Sequence, residues 1–150
     1  MLRGSARAPC TACTGRAAVA KLADAKTLLQ LDQLRRGRVD LAEVYDVTPW
    51  AALYSAVHHW GYPNNAIPPG KQSTFSYVFE SDYDGLFIEL SDFKAYVALY
   101  IVYTDVAGQE AAESHRDELR LAAERIVEVL RMPVDHFGAL FDPVHATFTE

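Results

Sequence analysis

Residues 74–103 read TFSYVFESDYDGLFIELSDFKAYVALYIVY, and the reading of this stretch decides the fold. From 74 to 80 apolar and polar residues alternate, with Phe75, Tyr77 and Phe79 on one side. Ser81-Asp82-Tyr83-Asp84-Gly85 has the composition of a hairpin loop. Leu86, Ile88 and Leu90 then face one way, and Phe87 and Glu89 the other. After Ser91-Asp92-Phe93, the run 94–103 is apolar on both faces. Tyr96, Ala98, Tyr100 and Val102 line one side, and Val97, Leu99, Ile101 and Tyr103 the other. Three consecutive antiparallel strands follow.

In a simple meander the third strand would lie at the sheet edge, where a long uncharged strand invites aggregation. The expectation is that something pairs with it: a fourth strand from residues 146–149, or a second copy of the chain in a homodimer through 94–103. A strand apolar on both sides also needs both sheet faces covered. A long C-terminal helix is expected on one face and the earlier helices on the other.

Working outward, Thr48-Pro49 is the sharpest local signal. Thr caps free helical amides, and Pro at the first helical position lacks an N–H that would have no partner there. Trp50, Leu53, Tyr54, Val57 and His58 then keep helical spacing, Gly61 closes the helix and Pro63 prevents its return. Residues 16–36 are rich in good helix formers, and the Arg35-Arg36-Gly37-Arg38 cluster suits a helix C-terminus with Gly as its cap. Asp40 stands three residues before Glu43 like a capping box, which predicts a short helix from Leu41 to about Asp46. Gly108 opens one long amphipathic helix to about Arg131, with Leu119, Ala123, Ile126, Val127 and Leu130 on its apolar stripe. The class expected is α+β: N-terminal helices, an antiparallel sheet of three or four strands, and a long C-terminal helix. Residues 1–15 read as a flexible basic leader and 16–150 as a single α+β domain.

Composition narrows the function classes. The net charge is -6, which does not draw a chain non-specifically to phosphate backbones. No apolar run approaches a membrane span. Two cysteines do not build a disulfide scaffold, so a reducing, cytoplasmic setting is the default. Residues 1–23 carry Arg3, Arg7, Arg16 and Lys21 with no acid, which is also how an organelle-targeting segment reads.

Chemistry-bearing motifs are sparse. Cys10 and Cys13 form a single CxxC with no second pair to complete a zinc site. Glu80, Asp82, Asp84 and Gly85 look like the opening of a calcium loop, but Ser91 stands where the closing Glu belongs. Glu43, Asp46, Glu80 and Glu89 are carboxylates with no pairing signal. A His/Asp metal site would need His58 to meet Asp135, His136, Asp142 and His145. No resident cofactor is implied.

The segment 41–61 resembles a helix-turn-helix: LAEVYD, a Val47-Thr48 turn, then PWAALYSAVHHWG, with the following hairpin as the wing of a winged-helix regulator. The resemblance implies DNA contacts from Arg35, Arg36, Arg38, Ser55 and His59. It departs from the pattern in having no Lys or Arg on the would-be recognition helix. The first expectation is different: a small non-catalytic binding or regulatory protein acting through a protein partner, of adaptor, chaperone, immunity or inhibitor type. Its contacts would be the aromatics Tyr54, Trp60, Tyr96 and Tyr100, since Tyr and Trp bury large area at low entropic cost. The winged-helix regulator is the second reading and the metal-dependent enzyme the third.

Overall fold

The computed structural model describes residues 21–67 and 72–132. In chain order these form α1 (Ala25–Leu34), β1 (Gly37–Val44), α2 (Pro49–Trp60), β2 (Ser76–Glu80), β3 (Leu86–Phe93), β4 (Tyr96–Tyr103), α3 (Gly108–Ser114) and α4 (Arg116–Leu130). The class is α+β, as the alternation and the helical stripes predict. The leader 1–15, the CxxC and the tail from Pro133 lie outside the described residues.

The four strands form one antiparallel sheet in the order β1-β4-β3-β2. The expectation of a fourth strand is met, but from upstream. Residues 37–44 pair with β4 from Gly37 opposite Tyr103 to Val44 opposite Val97. Strand β4 is therefore interior, its backbone paired on both edges. Both edges of 94–103 are taken by β1 and β3 of the same chain, and the run 146–149 lies outside the described residues.

The short helix expected from Leu41 is thus a strand. The reason is a bulge: the register slips between Asp40 and Ala42. The extra residue, Leu41, breaks the alternation, so that Leu41 and Val44 are both buried although three apart. In sequence that spacing imitates a helix. Gly37 opens β1 instead of capping α1. The Tyr103 hydroxyl would lie 2.5 Å from a Cβ at this position, so only Gly leaves the ring its place.

Helix α1 is shorter than the 16–36 expected. Asp24 caps it, accepting from the Thr27 amide at 2.8 Å. Leu22, within the 16–36 run of helix formers, forms a bridge to Phe79 instead. Helix α2 begins and ends as predicted: Thr48 Oγ1 accepts from the Ala51 amide at 3.2 Å, and Gly61 closes it at φ 87°. The expected long C-terminal helix is two helices that break at His115, where φ is -103° and ψ 12°.

Core burial divides the sheet into two unlike faces. Helices α2, α3 and α4 share one side. There Leu53, Val57, Leu119 and Ile126 bury Tyr77, Phe79, Ile88, Leu90, Leu99 and Ile101 in one cluster. Among the described residues only α1 lies on the other side, where Ala23 and Leu31 pack on Val78 and Val102. The early helices are therefore split, not gathered on one face as expected. The outer edge of β2 is sealed: the Ala23 amide donates to the Val78 carbonyl at 2.9 Å, and Asn64 Oδ1 accepts from the Val78 amide at 2.9 Å.

Candidate functional site

Register places Arg38, Asp40, Glu43, Ser76, Glu89, Ser91, Tyr96 and Tyr100 on the α1 side of the sheet, because residues paired across antiparallel strands point the same way. Two features arise there.

The first is a polar network under the end of α1. Glu89 is 8% exposed. Its Oε1 accepts from Arg35 Nη2 at 3.0 Å and its Oε2 from the Ser76 hydroxyl at 2.9 Å. Asn65 Nδ2 donates in turn to Ser76 Oγ at 3.0 Å. The network ties α1, β3, β2 and the residue 64–65 turn together through a carboxylate that burial would otherwise penalise. It floors a cleft of about 480 Å³ lined on one side by Leu28, Leu31, Asp32 and Arg35 and on the other by Asn65, Ala66, Ile67 and Ser73. The second buried carboxylate among the described residues, Asp92, is occupied by the Thr74 amide, the Thr74 hydroxyl and the Phe75 amide at 2.7, 2.8 and 3.0 Å. It pins the entry of β2.

The second feature is a row of aromatic rings at the β3–β4 turn. Tyr45 lies 4.8 Å from Tyr96, centroid to centroid, and Phe93 meets Tyr96 edge-on at 5.9 Å. Tyr45 is 67% exposed. Its hydroxyl donates to Glu43 Oε1 at 2.6 Å, and this bond to the carboxylate pushes the phenol up to about 12. The hairpin that carries the row turns on Lys94, a non-glycine residue at φ 56°. Beside the row, the Arg38 guanidinium sits 4.1 Å from the centre of the Tyr100 ring. Burial raises the Tyr100 phenol, while Arg38 opposes that shift.

The four aromatics singled out in the sequence are divided by the sheet. Tyr54 is buried in the helical core, and Trp60 packs on Phe79 at 5.0 Å in the same layer. Tyr96 and Tyr100 are on the opposite face and half-buried. The aromatic neighbour that sequence reading missed is Tyr45, which follows a strand mistaken for a helix and carries no periodic signal.

The residues named for DNA contact do not form one surface. Arg35 is bound to Glu89, Arg38 lies on Tyr100, and Ser55 is buried in α2 with its hydroxyl on the Met132 carbonyl at 3.1 Å. Arg36 is exposed, and His59 stacks edge-on against Trp60. The first helix of the expected helix-turn-helix is β1, so that motif is absent from residues 41–61.

His58, placed on the apolar side by helical spacing, is exposed. Asp135, His136, Asp142 and His145 lie outside the described residues. Among the described residues no group of three or more His, Cys, Asp or Glu side chains gathers to hold a metal. The acidic hairpin is a turn organised by Ser81, whose hydroxyl donates to the Leu86 carbonyl at 2.6 Å, with Gly85 at φ 78°. Of the unpaired carboxylates, Glu43 is held by Tyr45, and Arg131 holds Asp46 at 2.9 Å and lowers its pKa.

No helix among the described residues is long and apolar enough to cross a membrane. Comparison with known proteins finds no matching family model, no matching curated protein and no matching solved structure. The functional reading therefore rests on the chain's own geometry.

Proposed function

We propose that this chain is a small non-catalytic binding or regulatory protein that acts through a protein partner. The partner docks on the α1 side of the sheet, at the aromatic row. The observation that carries the reading is Tyr45: a ring 67% exposed, held against Tyr96 and anchored through its hydroxyl to Glu43. A large ring already fixed in one orientation loses little entropy when a partner covers it. Aromatic anchors ringed by charge are the usual composition of an interface centre and its rim, and here Arg38, Asp40 and Glu43 supply the charge. The original aromatic set is narrowed accordingly to Tyr96 and Tyr100, with Tyr45 and Phe93 added and the core residues Tyr54 and Trp60 removed.

Site-specific photo-crosslinking in the native host tests this. A benzophenone side chain placed at Tyr45 should give one discrete heavier species that a Tyr96→Ala change abolishes. The same probe at Leu121, exposed on α4, should give none. A smear common to both positions, or no adduct at Tyr45, would overturn the reading.

A further inference from the structure

The cleft under the end of α1 is a separate matter from the aromatic row. Its walls combine an apolar side, Leu28, Leu31 and Ile67, with two guanidinium groups, Arg35 and Arg38. Its volume of about 480 Å³ falls in the range that small-molecule sites occupy. Arg35 commits one Nη2 hydrogen to Glu89, and a guanidinium carries five. The Arg38 guanidinium lies 4.1 Å from the Tyr100 ring centre, and no hydrogen bond or ion pair engages it among the described residues, so its donors are open to a ligand.

Ser91 adds an independent observation. Its side chain lines the cleft, it is 6% exposed, and its hydroxyl has no hydrogen-bond partner among the described residues. Neighbouring Ser76 and Ser73 are both engaged, with Glu89 and with the Asp92 carbonyl. That hydroxyl is open to solvent through the cleft, where a bound carboxylate can accept from it.

We propose that this cleft binds a small amphipathic carboxylate. Its charged end is held by Arg38, by the remaining N–H groups of Arg35 and by the Ser91 hydroxyl, and its apolar body lies against Leu28, Leu31 and Ile67. The choice of a singly charged anion follows from the other lining groups. Asp32 and Glu89 also face the cleft, and a phosphate dianion would meet both like charges. A carboxylate matches the fork of a guanidinium and carries one charge.

Titration of the purified protein, followed by amide chemical shifts, tests the proposal without any protein partner, so its failure leaves the docking of a partner untouched and the converse holds too. Hexanoate should saturate in the millimolar range and move the amides of Gly37 and Ser91. Hexanamide, with the same tail and no charge, should bind about tenfold more weakly, the worth of a charge-assisted bond. Arg38→Gln and Ser91→Ala should each weaken hexanoate while leaving the dispersed spectrum intact. The comparison of hexanoate with hexanamide needs no variant, so a folding defect in either cannot blur the result. Equal binding of the two, tighter binding of hexylammonium or methyl phosphate, shifts that map elsewhere, or no saturation by any probe would overturn the proposal.

Discussion

One face of the sheet presents Phe79, Ile88, Leu90 and Ile101 to the α2–α4 layer, and the other presents Ser76, Glu89, Ser91 and Tyr96 from the same strands. The first face is held by apolar burial, which has no direction and tolerates small shifts as long as volume is filled. The second is held by a few directed bonds, Arg35 to Glu89 and Asn65 to Ser76 to Glu89, with a cleft and exposed rings around them. The difference teaches where stability and recognition reside. A face that is only filled can carry the fold but offers nothing to a ligand, whereas one built from positioned polar groups and supported aromatics can do both.

The comparison is broken most directly by emptying the first face. Phe79→Ala, at a fully buried position, should cost about 3–5 kcal/mol in urea unfolding. Tyr45→Ala on the second face should leave the urea midpoint almost where it was. Equal losses would mean that the faces do not divide stability as argued. Next comes Gly108→Ala, where a Cβ would stand 2.6 Å from Tyr103 Cβ, an atom close to the backbone that cannot swing aside. The expected cost is about 1–3 kcal/mol. Gly37→Ala meets only the hydroxyl end of the same ring and should cost less; the reverse order would show that β1 is the stiffer neighbour.

On the second face, Arg35→Ala leaves Glu89 with the Ser76 hydroxyl as its one donor among the described residues and should cost about 1 kcal/mol, less than a fully buried pair because the Arg side chain is 37% exposed. Unfolding of Arg35→Ala beside Glu89→Gln and the double variant measures the coupling, and a coupling of zero would make the ion pair incidental. Lys94→Asn relieves the positive φ at the hairpin and should stabilise by up to about 1 kcal/mol. A loss instead would show that the Lys94 ammonium, 5.3 Å from the Phe93 ring centre, matters more than the backbone strain.

The smallest effect expected is on the acid limb. Arg131 lowers the Asp46 carboxyl, and Tyr83 followed by His115 lowers Glu118. A carboxyl depressed in the folded state contributes stability above its unfolded pKa of roughly 4 and loses it as pH falls through the folded value. Both groups are exposed, so Asp46→Asn and Glu118→Gln should only flatten the decline below about pH 4 slightly. A steep change in slope would move part of the stability from the buried face to the surface.

Within this frame, how much could be read in advance varies from element to element. Thr48, Pro49 and Gly61 gave α2 its ends, since caps are local chemistry. The alternation from Phe75 to Tyr103 gave three strands and their inward residues, since a strand's faces repeat every two positions. The polar character of the second face was visible in Glu89 between Ile88 and Leu90. Its partners were not: Arg35 lies 54 positions away along the chain, and no local pattern links the two. Ser91 was noticed only as a residue out of place in a calcium loop. Tyr45 was hidden behind a misread strand.

Local pattern in the chain was enough for the class, the caps of α2, the hairpins and the demand that 94–103 be covered on every side. Tertiary structure alone decided what covers it. The answer, residues 37–44, depends on pairing across some sixty residues and on a bulge at Leu41 that erases the period by which strands are recognised. Tertiary structure likewise decided that four promising aromatics belong to two opposite faces. Periodicity tells which residues of an element lie together, but which face of the assembled sheet stays open depends on where distant helices pack.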